Sequence, residues 1–143
     1  MAQQTKRGHV YIVSNIGSFG ENIYKIGMTR RLDPIDRVKE LGDASVPFRF
    51  DLHAMIYTED APKLESLLHK KFDDFRINKV NNRKEYFNVT IDEIEDCIRE
   101  NFDGEFQIIR ETEAKEYNES LFIKNNEEAI NLKTANDLFP DNL

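Results

Sequence analysis

The apolar positions of the first 42 residues fall into two short runs, Val10-Tyr11-Ile12-Val13 and Tyr24-Lys25-Ile26-Gly27, separated by the turn-rich stretch Asn15 to Asn22. Two such runs about a turn-rich connection predict a β-hairpin with a long loop. Asp33-Pro34 then reads as an N-cap with proline at the first helical position. Ile35, Val38 and Leu41 recur at helical spacing, and Gly42 is placed to close the helix. After Val46-Pro47, the residues Phe48, Phe50, Leu52, Ala54 and Ile56 alternate along the chain. That period predicts a third strand with one face in the core, and it sends His53 to the polar face. Asp60 caps a second helix whose apolar stripe is Leu64, Leu67, Leu68, Phe72 and Phe75. Glu65 and His69 stand four residues apart on the edge of that stripe.

From Arg76 to Lys84 the chain is polar and basic, too polar for a core. Tyr86-Phe87-Asn88-Val89 reads as a short strand or extended piece, and Thr90-Ile91-Asp92-Glu93 as a capping box. Ile91, Ile94 and Ile98 carry a third helix to about Asn101, and Glu105 to Arg110 has the composition of one further strand. Beyond Glu111 the chain is acidic with scattered apolar residues. The pattern predicts an α+β fold: a small central, mainly antiparallel three-stranded sheet flanked by helices. The expected division is a domain over 8–101 and an acidic C-terminal extension over 102–143.

Composition narrows this picture without changing it. A chain of 143 residues is long enough for one real core. Cys97 is the only cysteine, which excludes an internal disulfide and a cysteine-based zinc site and fits a reducing compartment. No apolar run approaches the ~20 residues of a membrane span, and the first seven residues lack a signal-peptide core, so a cytoplasmic protein is expected. The net charge of −7 argues against a nucleic-acid partner until its distribution is considered. Residues 1–84 carry 15 Lys and Arg against 11 Asp and Glu, a net of +4. Residues 85–143 carry 5 against 16, a net of −11. Affinity for phosphate follows the local field of a face, so the first 84 residues qualify.

Five stretches bear a resemblance. They are His9-Val10-Tyr11, Tyr24-Lys25-Ile26-Gly27-Met28-Thr29, Arg37 within Ile35 to Leu41, Glu65 within Leu64 to His69, and Arg83-Lys84-Glu85-Tyr86-Phe87-Asn88-Val89. In this order and spacing, residues 8 to 100 resemble the GIY-YIG nuclease superfamily, and within it the phage-associated branch grouped with a meiotically up-regulated gene product. His9 stands where the first motif has glycine, and Lys25 where the second has tyrosine.

The resemblance implies a metal-dependent DNA endonuclease with Tyr11, Lys25, Arg37 and Glu65 as catalytic residues. Glu65 would hold Mg²⁺ or Mn²⁺, since such hard ions take carboxylate oxygens. Tyr11 would be the general base, provided that a cation lowers its pKa from the ordinary ~10. Lys25, on the neighbouring strand, is the natural cation, and Arg37 offers a guanidinium fork for the transition state. His69 and Asn88 are expected behind these groups as supporting polar partners. Arg30, Arg31, Lys70, Lys71, Arg76, Lys79, Arg83 and Lys84 are expected on the DNA-facing surface, and Asn78, Asn81 and Asn82 offer further polar contacts.

Each residue also has a plain structural reading. Tyr11 alone is a core aromatic with its hydroxyl at the rim. Arg37 is the i, i+3 partner of Glu40, Glu65 a solvated carboxylate beside His69, and Lys25 the solvent side of an edge strand. The Gly17/Gly20 loop is not a phosphate cradle, because it lacks the P-loop lysine pattern and opens no helix. Two rivals to the enzyme therefore stand: a catalytically weak DNA-binding module on the same fold within a larger phage or host protein, and an interaction domain dominated by its acidic end. Oligomeric state is not readable from the sequence.

Overall fold

The computed structural model describes residues 5–43, 50–77, 85–110 and 113–120. Strands β1 (Gly8–Ser14) and β2 (Ile23–Thr29) form the expected antiparallel hairpin, with Tyr11 opposite Gly27 and Val13 opposite Lys25. Its connection holds a four-residue helix, α1 (Ile16–Phe19), which the turn-rich sequence did not suggest. Gly20 at φ 89° and Asn22 at φ 56° turn the chain back into β2, a left-handed conformation that glycine and asparagine adopt most readily. Helix α2 (Pro34–Asp43) starts as expected, with the Ile35 N–H donating to Asp33 Oδ1 at 3.2 Å, but runs through Gly42 instead of closing there. Helix α3 (Ala61–Lys71) is capped by Asp60, which accepts from the Lys63 N–H at 3.1 Å. Helix α4 (Ile91–Asn101) is capped by Thr90, which accepts from the Glu93 N–H at 3.2 Å. Both caps were legible because a short side-chain oxygen before the first turn satisfies a free N–H.

The sheet has four strands, not three, in the order β3-β1-β2-β4, with every neighbour antiparallel. β3 (Asp51–Thr58) lies on the outer side of β1, and the three-residue β4 (Tyr86–Asn88) adds to β2. The stretch expected as a short strand or extended piece is an edge strand, pairing Ile23, Tyr24 and Lys25 with Asn88, Phe87 and Tyr86.

The alternating pattern of β3 also needs correction. Ile12 faces Ala54 but Val13 faces Leu52, so β3 carries a bulge and His53 is the extra residue. One inserted residue inverts the parity of the strand. Ala54 and Ile56 therefore join Val10, Ile12, Tyr24 and Ile26 in one core, while Phe50 and Leu52 join Tyr11, Val13 and Val38 in the other. Helices α3 and α4 cover the first core and α2 the second. Tyr24 and Phe87 are fully buried in the first, each contributing roughly 1.5–3 kcal/mol by removing apolar area from water.

His53, expected on the polar face, is completely buried. Its Nδ1 lies 2.7 Å from the Ile109 carbonyl, which only accepts, so Nδ1 carries the proton. Nε2 then accepts from the Ser14 hydroxyl at 2.7 Å. The Ile109 N–H returns to the His53 carbonyl at 2.8 Å, so residues 105–110 run beside β3 without forming a strand. Phe102, Phe106 and Ile108 pack on the first core, and Arg110 bridges Asp92 at 2.5 Å and Glu95 at 3.0 Å on α4. Among the described residues no helix is long and apolar enough to cross a membrane.

Candidate active site

Tyr11 sits in the middle of the hairpin with only 1% of its surface exposed, on the α2 face of the sheet. Directly opposite, Gly27 leaves the slot the phenol occupies: a β-carbon there would meet the hydroxyl itself, with Cζ at 2.5 Å and Cε2 at 2.8 Å. The glycine is required by close approach rather than by backbone conformation. Helix α2 seats Ile35, Val38 and Leu41 on the same core, which brings Arg37 to its rim. There the Arg37 guanidinium is close enough to favour the charged form of the Tyr11 phenol. Glu40 holds Arg37 from outside at 3.7 Å and is hydrogen-bonded to Arg31.

Lys25 lies two residues before Gly27 on the same strand, its side chain only 10% exposed. Its ammonium is 3.5 Å from Glu85 Oε2 and 5.2 Å from the Tyr86 ring centroid. β4 pairs with β2 only as far as Lys25, so the next residue, Ile26, needs other partners. Its N–H donates to the Glu85 carbonyl at 3.0 Å, and its carbonyl lies 2.7 Å from His69 Nε2. A carbonyl accepts only, so Nε2 carries the His69 proton and Nδ1 keeps a lone pair. Leu64 and Leu68 anchor α3 in the core and leave Glu65 half-buried at its edge. One ligand atom each from Glu65, His69 and Glu85 lie within 4.8 Å of one another. An open groove of about 340 Å³ runs past this cluster, lined by Glu65, Ser66, His69, Lys70, Asp73 and Arg76.

These groups form one electrostatic unit. Burial pushes the Glu65 carboxyl up to about 7, Glu85 adds repulsion, and Lys25 opposes both. Burial also pushes the Tyr11 phenol up to about 12, reinforced by Glu85, opposed by Arg37, and reinforced again by Glu65. The sequence reading required a cation to lower Tyr11; with both carboxylates charged, the balance goes the other way. The phenol is therefore neutral at ordinary pH.

Of the other residues singled out, Asn88 is exposed and pairs with Ile23 at the far end of β4, on the order of 10 Å along the strand from Glu85. It does not support Glu65. His69 stands beside Glu65 rather than behind it. Arg30, Lys70 and Lys71 are exposed, as is Arg31 in its pair with Glu40. Arg76 is half-buried, 3.5 Å from Asp73 and 5.3 Å from the Phe87 ring centroid. Lys79, Arg83 and Lys84, with Asn78, Asn81 and Asn82, lie outside the described residues. Neither the residue pattern nor the resemblance assigns Glu85 a role. Its only signal was a carboxylate at the start of an extended piece, inside a charge-dense run that reads as solvated surface.

The raised Glu65 pKa has a stability consequence with a definite sign. The folded state favours the protonated carboxyl, so this group's contribution is complete below its ordinary value of 4.5 and is lost as pH rises through about 7. In chelator, wild type should lose roughly 1–2 kcal/mol more stability between pH 5 and pH 8 than Glu65→Gln, after discounting for solvent screening. Urea midpoints of the two proteins at both pH values measure it; parallel pH slopes would contradict the assignment.

Comparison with known proteins adds the lineage. Residues 8–102 match the family model described as the T5orf172 domain. A relative from Invertebrate iridescent virus 6, the putative KilA-N domain-containing protein 315L, is 33% identical over 106 residues. That match covers 68% of this chain and 43% of the relative, so the chain spans less than half the relative's length. No solved structure gives a significant match.

Proposed function

The chain belongs to the T5orf172 domain family, a family of endonuclease-like domains, and from that premise we propose that it hydrolyses DNA phosphodiester bonds with a divalent metal ion. The GIY-YIG resemblance supplies the finer assignment. The observation that carries it is the cluster of Glu65, His69 and Glu85, with ligand atoms within 4.8 Å of one another and both carboxylates near enough to bear on the buried Tyr11 phenol. A fold that needed these residues only for packing has no reason to gather two carboxylates and an imidazole beside a buried phenol.

The roles follow from the chemistry of each group. Glu65 holds the ion, which supplies charge stabilisation to a phosphate oxygen when bound. Its donors fit such an ion: a carboxylate with a second carboxylate and an imidazole at chelating distance, in a cluster otherwise carrying surplus negative charge. Arg37, 40% exposed along its side chain, is free to exchange Glu40 for a phosphate. Tyr11 positions the attacking water through its hydroxyl. It can accept a proton only as the phenolate, a form that becomes more accessible when charge on Glu65 and Glu85 is offset and Arg37 acts unopposed by them. Lys25 balances Glu85. DNA lies along the groove past Glu65, with Lys70, Lys71, Arg30 and Arg31 as exposed cations for its backbone.

One observation favours the DNA-binding module instead: burial pushes the Tyr11 phenol up to about 12 and Lys25 replaces the motif tyrosine, so the phenolate that a base requires is scarce. The deciding experiment is plasmid and short-duplex cleavage in Mg²⁺ or Mn²⁺ beside a binding titration in chelator. Metal-dependent cleavage supports the enzyme; sound binding with no cleavage hands the case to the module. In the same titration, affinity should fall steeply with salt, roughly tenfold or more between 50 and 200 mM for three or more phosphate contacts. A flat salt dependence would remove the basic face from the interface.

A further inference from the structure

We propose that Glu65, His69 and Glu85 together form one mixed oxygen–nitrogen metal site that selects a first-row transition ion, such as Mn²⁺, over Mg²⁺. The inference deepens the nuclease reading and rests on it for the place of Glu65. A single carboxylate on a helix edge holds a hard ion weakly and does not choose among ions. Three protein donors of two kinds do choose.

Geometry supports the set. Donors around a small divalent ion with bonds of about 2.1 Å stand about 3 Å apart when adjacent and about 4.2 Å when opposite. The ligand atoms of Glu65, His69 and Glu85 are all within 4.8 Å of one another, so small side-chain adjustments suffice to close on an ion. They come from two segments of chain: Glu65 and His69 share one face of α3 a turn apart, and Glu85 immediately precedes β4.

His69 has the arrangement a ligating histidine requires. Its Nε2–H donates to the Ile26 carbonyl at 2.7 Å, which fixes the tautomer and leaves Nδ1 as the lone-pair nitrogen. The Phe87 ring, 5.1 Å away between centroids, packs the imidazole. Imidazole nitrogen binds first-row transition ions well and Mg²⁺ poorly, which gives the preference its direction. Glu85 is available as the third donor. Its contact with the Lys25 ammonium, at 3.5 Å, is longer than the 2.7–2.9 Å of a charge-assisted hydrogen bond. Lys25 thus compensates Glu85 without engaging it fully.

The test uses the full chain stripped of metal and measures binding directly. Mn²⁺ uptake is read from loss of the free-ion electron paramagnetic resonance signal, and Mg²⁺ by competition against it, for wild type, H69Q, E85Q and E65Q. Glutamine at 69 keeps an amide donor near the Ile26 carbonyl but has no lone-pair nitrogen, so the fold is disturbed little. Wild type should prefer Mn²⁺ by about tenfold or more, and H69Q should lose most of that preference while its Mg²⁺ affinity changes little. E85Q should weaken both ions by about tenfold. Retention of the Mn²⁺ preference by H69Q, or of wild-type affinities by E85Q, would overturn the three-donor site. If E65Q alone abolishes binding, the nuclease reading stands on one carboxylate and only this inference fails. If E65Q binds like wild type, both fail.

Discussion

Glu65→Gln should lower the DNA cleavage rate on the order of 10³-fold or more while leaving DNA affinity in chelator unchanged or slightly increased. Glutamine keeps the size and most hydrogen-bonding capacity of the side chain and removes only the charge that attracts an ion. The loss should therefore appear in the chemical step, as several kcal/mol of barrier, and not in binding. Removing a negative charge beside the DNA path can only help the phosphate backbone approach. Stability should not fall: Glu65 lies at the helix edge, and its charged form is opposed by burial and by Glu85, so the neutral amide is at least as comfortable above pH 7. The paired measurement is cleavage by both proteins in Mg²⁺ and Mn²⁺, with affinity measured in chelator. Equal cleavage by the two would remove Glu65 from the reaction.

Gly27→Ala should damage both the fold and the site. A β-carbon at this position lands on the Tyr11 hydroxyl and within 2.5 Å of Cζ, and the phenol has nowhere to go, because Tyr11 is 99% buried among Val13, Val38 and Leu52. Overpacking of this kind costs about 1–3 kcal/mol. The functional loss should exceed what that figure implies. Moving the hydroxyl by about 1 Å shifts the group that is to position the attacking water, and such misplacement costs on the order of 10²-fold in rate. Thermal melting and cleavage assayed well below the melting temperature separate the two effects. The double variant Gly27→Ala/Tyr11→Phe distinguishes them further, since removing the hydroxyl should return part of the stability but none of the activity. A single Gly27→Ala variant with wild-type cleavage would mean that the Tyr11 hydroxyl has no part in the chemistry.

What the sequence revealed, and what it hid, follows from the range of each signal. The caps at Asp33, Asp60 and Thr90 are local, so three helix starts were readable from a few residues each. The β1–β2 hairpin was readable because both strands are apolar and adjacent. The strand character of residues 86–89 was readable too, but not its place in the sheet, since its pairing with Ile23 to Lys25 is long-range. The bulge escaped for a different reason. Phe50, Leu52, Ala54 and Ile56 keep a perfect alternation in sequence, and only the pairing with β1 shows that His53 inverts it. In the site, Tyr11, Arg37 and Glu65 were named through a resemblance, and spacing alone would have left them as packing and surface. Glu85 was visible to neither route, because its significance depends on where β4 ends against β2.

The hook between His53 and Ile109 bears on how short the folded unit can be made. β3 is the long outer edge of the sheet, eight residues against three for β4. An uncovered strand of that length is a template on which a second chain can grow by pairing its backbone. Here the side chain of a bulged histidine, together with one reciprocal backbone bond, ties a non-strand segment along that margin. The segment occupies the position without extending the sheet, and so passes on no new edge. A fragment ending near residue 104 would retain every strand and α2, α3 and α4, yet expose the rim that residues 105–110 shield. Its expected failure is not unfolding but self-association, with clipped chains stacking through β3. A boundary after Arg110 keeps the shield and also keeps the clasp of that arginine on Asp92 and Glu95.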